Sequence, residues 1–495
     1  MKNTFRLFLW VFLLAGLGAC SDEQTTVGTL SVNNGTTFLS FDGLARSGKI
    51  SVRASAPWRV TSSAADRWFT LTPNQGPAGE TEIEVRLTAN EGDARTSLLG
   101  FSCHDTFVPF RLSQSAQNVG FDDVDYCFYA TFGTLPTLYA GLHLLTHDKP
   151  SYVYYSRART FSPSLFPAHA TVLTAEDQAP SATPEDIDKM YAEMTRRIRE
   201  INRVDPTAVF GLYVDDLRSR LGYDWFVAQG IDSARVKVSL LSDGTGTYNN
   251  FYNYFGDAAT AKQNWDTYAA EVNALDWNHN GQFPVTRAVT IDSFTWPFYM
   301  ATQPNYRLVL QHAALLQASS VIDAERAAMH LRNTQPYEIL TSLSASAKKQ
   351  FYQMASFDYD KFAALFDASP KENLIIIGTN PRDADQAQQQ RDYVGRILEQ
   401  HPNEDLFFKP HPADVSSADY EQSFPGLTLL PGQMPFEIFV WSLLDRIDQI
   451  GGYPSTVFLT VPIDKVGFIF APNAESLIRP LNLLFAGVET VEWMQ

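Results

Sequence analysis

Three short stretches of this chain carry residue types that can move protons or hold an anion. The first is Phe407-Phe408-Lys409-Pro410-His411-Pro412, an apolar run ending in a cation, an imidazole and two prolines. Proline fixes φ and has no N–H to donate, so Pro410 and Pro412 should end a strand and stiffen the loop after it. His411 is thereby expected at the carboxyl end of a strand, the edge where open α/β sheets bind ligands. With the Lys409 charge beside it, this loop suits a phosphate leaving group. The second stretch is Leu240-Leu241-Ser242-Asp243-Gly244-Thr245-Gly246. Asp243 there reads either as a base projecting from a tight turn or as an ordinary Asp-Gly turn. The third is Gln449-Ile450-Gly451-Gly452-Tyr453-Pro454-Ser455-Thr456-Val457-Phe458. Gly451 and Gly452 would let the backbone approach a ligand. Ser455 and Thr456 are expected to open a helix whose unpaired N–H groups and hydroxyls form an anion site. Plain capping by Ser455 is the other reading. Upstream, Phe436-Glu437-Ile438 starts an apolar helix with a carboxylate near its amino end, suited to a ribose diol or to the helix dipole.

These loops need strands to present them. From about residue 121 short apolar strands alternate with helices: Tyr126–Ala130, Val209–Val214, Val236–Leu241, Leu374–Ile377, Leu406–Phe408 and Lys465–Phe470, with helical spacing over Leu135–Leu145 and from Pro184 to Val204. Such alternation predicts parallel sheets, and its length predicts two of them with a cleft between. The expected division is a Rossmann-like domain over 121–370 and a second over 371–495. Residues 28–117 read instead as all-β, with alternating runs such as Lys49–Val52 and Glu82–Leu87 between turn clusters.

Bulk composition narrows the class. The chain has 495 residues, 45% hydrophobic and 19% charged, with 34 Phe and 21 Tyr for several cores. A formal net charge of −17 argues against nucleic-acid binding, which needs a basic stripe. Residues 1–20 read as a signal peptide: Lys2 and Arg6, then an apolar stretch too short to span a bilayer, ending Leu17-Gly18-Ala19-Cys20. That ending looks like a lipobox, so Cys20 is the expected lipidation site and the protein is expected to be lipid-anchored to the cell envelope, at the outer membrane. Asp22 and Glu23 resemble a surface-export signal. Cys103 and Cys127 lie in strand-like runs and are read as free thiols, with a disulfide, which export permits, as the other reading; neither has the spacing of a metal site.

Two resemblances follow from these motifs. Trp58, Trp68, Thr72-Pro73-Asn74-Gln75-Gly76 and Arg111-Leu112-Ser113-Gln114 occur in an order that resembles the BACON domain, an immunoglobulin-like sandwich of exported bacterial proteins. Both tryptophans are read as core and the domain as a spacer, with glycan binding as the other possibility. From residue 121 onward the chain resembles the bacterial sialyltransferases of glycosyltransferase family 80. The family's Asp-Asp-Gly-Ser, Lys-Gly-His-Pro, Phe-Glu and Gly-Gly-x-x-Ser-Ser elements appear in order as Ser242-Asp243-Gly244-Thr245, Lys409-Pro410-His411-Pro412, Phe436-Glu437 and Gly451-Gly452-Tyr453-Pro454-Ser455-Thr456. The resemblance implies a GT-B fold and inverting, metal-independent transfer of sialic acid from CMP-sialic acid to a sugar hydroxyl, with no cofactor. It implies Asp243 as general base and His411 as the group that protonates or stabilises the departing phosphate. Ser455 and Thr456 would bind phosphate, Glu437 the ribose, and Lys409 the nucleotide, with Gly451 and Gly452 on the same donor side.

The pattern also departs from the family. Ser242 stands for the first aspartate, Pro410 for the glycine before the histidine, and the acceptor-stacking tryptophan is missing around Pro381 and Arg382. Gly244, Thr245, Arg382 and Trp296 are the acceptor-side candidates, Trp296 having a core position as its alternative. Asp276 to Gly281 opens like a calcium loop, but its twelfth position is Arg287 where a glutamate is required. Asp123-Val124-Asp125 and Asp383-Ala384-Asp385 are short acidic matches of the kind that occur by chance, and no metal site is expected. The competing function is a surface glycan-binding lipoprotein whose transferase domain is inactive.

Overall fold

The computed structural model describes residues 28–494 apart from 42–45, 63–65, 89, 91–94, 115–120, 122, 156–160, 174–183, 217–225, 227–228 and 275–295. Cys20 with its leader, and the calcium-like stretch after Asp276, lie outside the described residues.

The first strands are β1 (Leu30–Val32), β2 (Phe38–Phe41), β3 (Arg46–Ala54), β4 (Trp58–Thr61), β5 (Phe69–Thr72), β6 (Gln75–Gly76), β7 (Gly79–Leu87), β8 (Arg95–Cys103) and β9 (Thr106–Gln114). They form two sheets, ordered β1-β3-β7-β5 and β2-β9-β8-β4-β6, antiparallel except for the β2–β9 pair. Alternation turns Ile50, Val52, Ile83 and Val85 inward to share one core with Leu99, Phe101, Phe110 and Leu112. Trp58 and Trp68 are buried in that core, as their reading as structural aromatics requires. The sandwich is docked rather than a free-standing spacer. Phe38 packs on the core of the following domains and meets the His312 ring edge-on at 5.7 Å. Gly35, at φ +87°, lies against the Gly487 carbonyl, where a side chain would not fit. Cys103 and Cys127 are buried and free.

Two parallel sheets follow. The first holds β10 (Tyr126–Thr131), β11 (Ser151–Tyr155), β12 (Ala170–Val172), β13 (Phe210–Asp215), β14 (Val236–Leu241), β15 (Tyr306–Leu310) and β16 (Leu331–Asn333), in the order β12-β11-β10-β13-β14-β15-β16. The second holds β17 (Asn373–Ile377), β18 (Asp405–Lys409), β19 (Leu427–Leu429), β20 (Gln449–Gly452), β21 (Val466–Ile469) and β22 (Glu492–Trp493), in the order β19-β18-β17-β20-β21-β22. Strands such as Tyr126–Thr131 and Asn373–Ile377 are apolar almost throughout because helices cover both faces of each sheet. Strand order reverses between β10 and β13 in one sheet and between β17 and β20 in the other. Crevices for ligands open at such switch points, outside the carboxyl ends of the strands. The fold is mixed α/β with an antiparallel β-sandwich in front, as the residue pattern predicts. No helix among the described residues is long and apolar enough to cross a membrane.

Two buried histidines and one half-buried one make the fold acid-sensitive. Tyr129 Oη lies 2.8 Å from His143 Nδ1 and 2.9 Å from His147 Nε2. Lys149 N donates to His147 Nδ1, so neutral His147 carries its proton on Nε2 and donates to Tyr129, which donates on to His143. Burial lowers His143 to about 3 and His147 to about 4, and lowers His312 to about 4. Each is neutral when folded and takes up a proton when unfolded below its ordinary value near 6.5. Stability is therefore complete above pH 6.5 and falls as pH drops toward 4. From pH 7.5 to 5, the fully buried His143 and His312 should each remove about 2 kcal/mol. Denaturant midpoints measured across that range check this; a flat profile contradicts it.

Candidate active site

The loop after β14 is shaped by its neighbour strand. Asp215 pairs with Leu241, which sets Asp216 beside Ser242. Asp216 is fully buried, accepts from Asp243 N at 3.3 Å and from Thr247 Oγ1 at 2.5 Å. Ser242 Oγ in turn donates to Thr247 Oγ1 at 3.0 Å and accepts from Gly244 N at 3.1 Å. Gly244, at φ +90°, then turns the chain into helix Thr245–Phe255. Asp215 closes the switch point of this sheet: its carboxylate accepts from Phe132 N at 3.1 Å and Gly133 N at 2.7 Å, ahead of helix Thr134–Leu144. Asp243 Oδ1 lies against Gly133, where an added Cβ would have to push the carboxylate aside. The half-buried Asp243 carboxylate thus sits beside the amino end of helix Thr134–Leu144.

Asp215 and Asp216 are the residues that reading the chain in one dimension misses. The signal was present: strand β13 ends in Asp215 and Asp216 follows it directly, both on the ligand edge. Asp216→Ala would leave two donors without their buried acceptor. Chemical denaturation should show a loss of ~1–3 kcal/mol; an unchanged midpoint would mean the turn holds itself.

On the second sheet three loops leave at one level, because Ile377 pairs with Lys409 on one side and Gly452 on the other. His411 follows β18, as its prolines predict, and is exposed. Its Nδ1 accepts from Ala413 N at 3.1 Å, so neutral His411 presents Nε2–H as a donor. Burial of its inner edge and the neighbouring Lys409 lower its pKa, against an opposing pull from Asp414. Lys409 is 2% exposed, and its Nζ donates to Pro410 O at 2.8 Å and Gly432 O at 3.0 Å. Burial lowers it to about 8, with Glu437 partly restoring it. Its ammonium thus braces the His411 loop, which differs from the expected nucleotide contact.

Gln390, fully buried on helix Ala384–Gln400, ties these loops together. Its Oε1 accepts from Thr379 N at 2.7 Å and its Nε2 donates to Asp414 at 2.9 Å. Asp383 caps the same helix by accepting from Gln386 N at 2.8 Å, a local role for that acidic match. Gln390→Leu should cost ~1–3 kcal/mol by leaving Thr379 N unsatisfied, and thermal melting measures it.

Other expectations change. Ser455 and Thr456 open a four-residue 3₁₀ turn, Thr456–Leu459, and no longer helix follows. Ser455 Oγ accepts from Val457 N at 3.4 Å, so the plain cap is present. The glycines make room for protein: a Cβ on Gly451 would strike the Phe468 ring, and one on Gly452, at φ +119°, the backbone of Ile377. Trp296 is buried with Phe298 in the core of the first Rossmann-like domain, which removes it from the acceptor side because an enclosed indole has no face to offer a sugar. Arg382 is exposed on the loop after β17, its backbone N donating to Gln386.

The two carboxyl edges face and touch each other. Thr245 Oγ1 and Thr456 Oγ1 are 3.1 Å apart, and Gly244 packs directly on the Thr456 methyl. Glu437, second in helix Phe436–Leu443, is enclosed enough for burial to raise its pKa; Lys409 opposes that rise and Asp243 adds to it. Charges within reach of one another thus run Asp243, Glu437, Lys409, His411. An aspartate at the edge of one domain and an imidazole at the edge of the other thus accompany the hydroxyls of Thr245 and Thr456 and the Glu437 carboxylate. Such a set can deprotonate one group and stabilise a departing oxyanion. No group of three or more His, Cys, Asp or Glu among the described residues is arranged to hold a metal.

No protein-family model matches the chain, and no curated protein matches it in sequence. Its fold has solved counterparts. An α/β-galactoside α-2,3-sialyltransferase from Photobacterium phosphoreum superposes with a TM-score of 0.58 at 16% identity, over 75% of this chain and 99% of its own. A sialyltransferase from Photobacterium damsela gives 0.55 at 16%, over 93% and 99%. A 2,6-sialyltransferase from Photobacterium sp. JT-ISH-224, solved with CMP and lactose, gives 0.56 at 15%, over 92% and 95%. The two Rossmann-like domains of this chain therefore have the GT-B fold that these bacterial sialyltransferases share.

Proposed function

We propose that this protein is an inverting glycosyltransferase that moves sialic acid from CMP-sialic acid to a hydroxyl of a glycan, without a metal ion. The observation that carries the reading is the contact of the Asp243 turn with Thr456 and Glu437 across a GT-B cleft. In this reading Asp243 takes the proton from the acceptor hydroxyl as its oxygen bonds to the anomeric carbon. The bond from that carbon to the phosphate oxygen breaks, and CMP leaves carrying the electron pair. His411 Nε2–H meets the charge on the phosphate. Ser455 and Thr456 hydroxyls hold the phosphate, and Glu437 takes the ribose diol. Lys409 acts at one remove, by holding the His411 loop. Positioned donors in a closed cleft can serve in place of a cation. The solved relative that binds CMP and lactose supports the choice of donor and acceptor classes.

A CMP-release assay with CMP-sialic acid and lactose tests this, with and without EDTA. Transfer that survives EDTA is expected. Loss of activity with EDTA would overturn the metal-free step. If no CMP-sugar is turned over, the glycan-binding lipoprotein takes its place. Ser455→Ala with Thr456→Ala should weaken CMP binding by ~1–3 kcal/mol, the worth of hydrogen bonds to a charged group; calorimetry showing unchanged affinity would displace the phosphate site. We also propose envelope anchoring through a lipid on Cys20, which labelling with a radioactive fatty acid and a Cys20→Ala control tests.

A further inference from the structure

A second cavity, of about 880 Å³, opens between the helices at the end of the first Rossmann-like domain and the far end of helix Phe436–Leu443. Ligand pockets typically hold ~300–1,000 Å³. One wall carries Tyr352 and Tyr359, stacked with ring centroids 5.0 Å apart. In the same lining Ser442 is 7% exposed and lies beside the Tyr352 hydroxyl. Two neighbouring hydroxyls at this depth offer an incoming hydroxyl both a donor and an acceptor. The lining carries Lys348 and Lys349, neither with an ion-pair partner among the described residues, and Asp360 belongs to the same lining.

This mixture selects a chemistry. An anion would want the lysines unopposed, and a cation would want the carboxylates unopposed; lining charges of both signs favour neither. A hydroxyl both donates and accepts, so a chain of hydroxyls can satisfy lysine, carboxylate and Ser442 together. Tyrosine offers an apolar face with a polar tip, which suits a sugar ring apolar on one side. We propose that this cavity is a second glycan site that takes a neutral oligosaccharide, separate from the cleft that holds Asp243. Its occupant would bridge the first domain to the helix that carries Glu437.

Labelled maltohexaose and labelled N-acetylchitohexaose, a coiled and an extended neutral chain, are titrated against the whole protein by fluorescence anisotropy, with no CMP-sugar present. Saturable binding of at least one is expected. Tyr352→Ala, and separately Lys348→Glu with Lys349→Glu, should weaken it about tenfold or more, which is ~1.4 kcal/mol or more. The lysine pair lies on the surface and keeps the test valid if Tyr352→Ala fails to fold. Ser455→Ala with Thr456→Ala should leave this binding within about twofold, well under the tenfold step. Three results would overturn the site: no binding of either chain up to ~10 mM, weaker than any affinity worth ~3 kcal/mol; binding untouched by both pocket changes; or binding lost in the cleft variant alone. The assay reads no sugar transfer, so it stands or falls apart from the transferase reading.

Discussion

Asp243→Ala is expected to slow sialyl transfer ~10²–10⁴-fold, the usual worth of a positioned base, while CMP affinity stays close to that of the unaltered protein. The separation follows from where the carboxylate sits. Asp243 arises on the first domain, beside Gly133 and under the Asp216 bond to its own N–H, whereas the hydroxyl proposed to hold the phosphate belongs to Thr456 on the second. Removing the carboxylate leaves that hydroxyl and its partner Thr245 in place. Single-turnover transfer and calorimetric CMP binding measure the two quantities. Transfer at the unaltered rate would take Asp243 out of the mechanism. Equal loss of both quantities would make it a donor-binding residue instead. His411→Ala is expected to give the complementary pattern, slowing release of CMP from the donor by water as well as by sugar, since the proposed mechanism has His411 meet the leaving group in both.

Gly452→Ala is expected to cost about 2–6 kcal/mol, summing the usual penalties for overpacking and for a side chain at a φ that favours glycine. At φ +119° the added Cβ would lie against the carbonyl and 2.6 Å from the amide nitrogen of Ile377, both backbone atoms at the carboxyl end of β17. Neither can move without breaking the β17–β20 pairing that puts the loops after β17, β18 and β20 at one level. CMP binding should fall with the melting temperature. Full CMP affinity with an unchanged melt would show that the sheet relaxes at little cost.

The sequence alone determined the order of elements and the edge on which the chemistry lies. Short apolar runs closed by Asp-Gly, Lys-Pro-His-Pro or Gly-Gly carry their strand ends locally, in residues that cannot continue a strand or that turn it. Asp243, His411 and Glu437 therefore stand at element ends as their neighbours in the chain require. Lateral packing decided the rest. Asp215 and Asp216 gain their roles from β10 and β14, strands distant in sequence, whose backbone donors they satisfy. Lys409 carries a charge in any reading, but only the fold buries it against two carbonyls. The Ser455 start yields one 3₁₀ turn because Thr460 Oγ1 takes the Val457 carbonyl and Pro462 follows before another turn can form. Trp296 and the paired glycines were ambiguous for the same reason. An indole or a missing side chain serves a ligand or a core equally well, and which one it serves depends on what the distant chain brings against it.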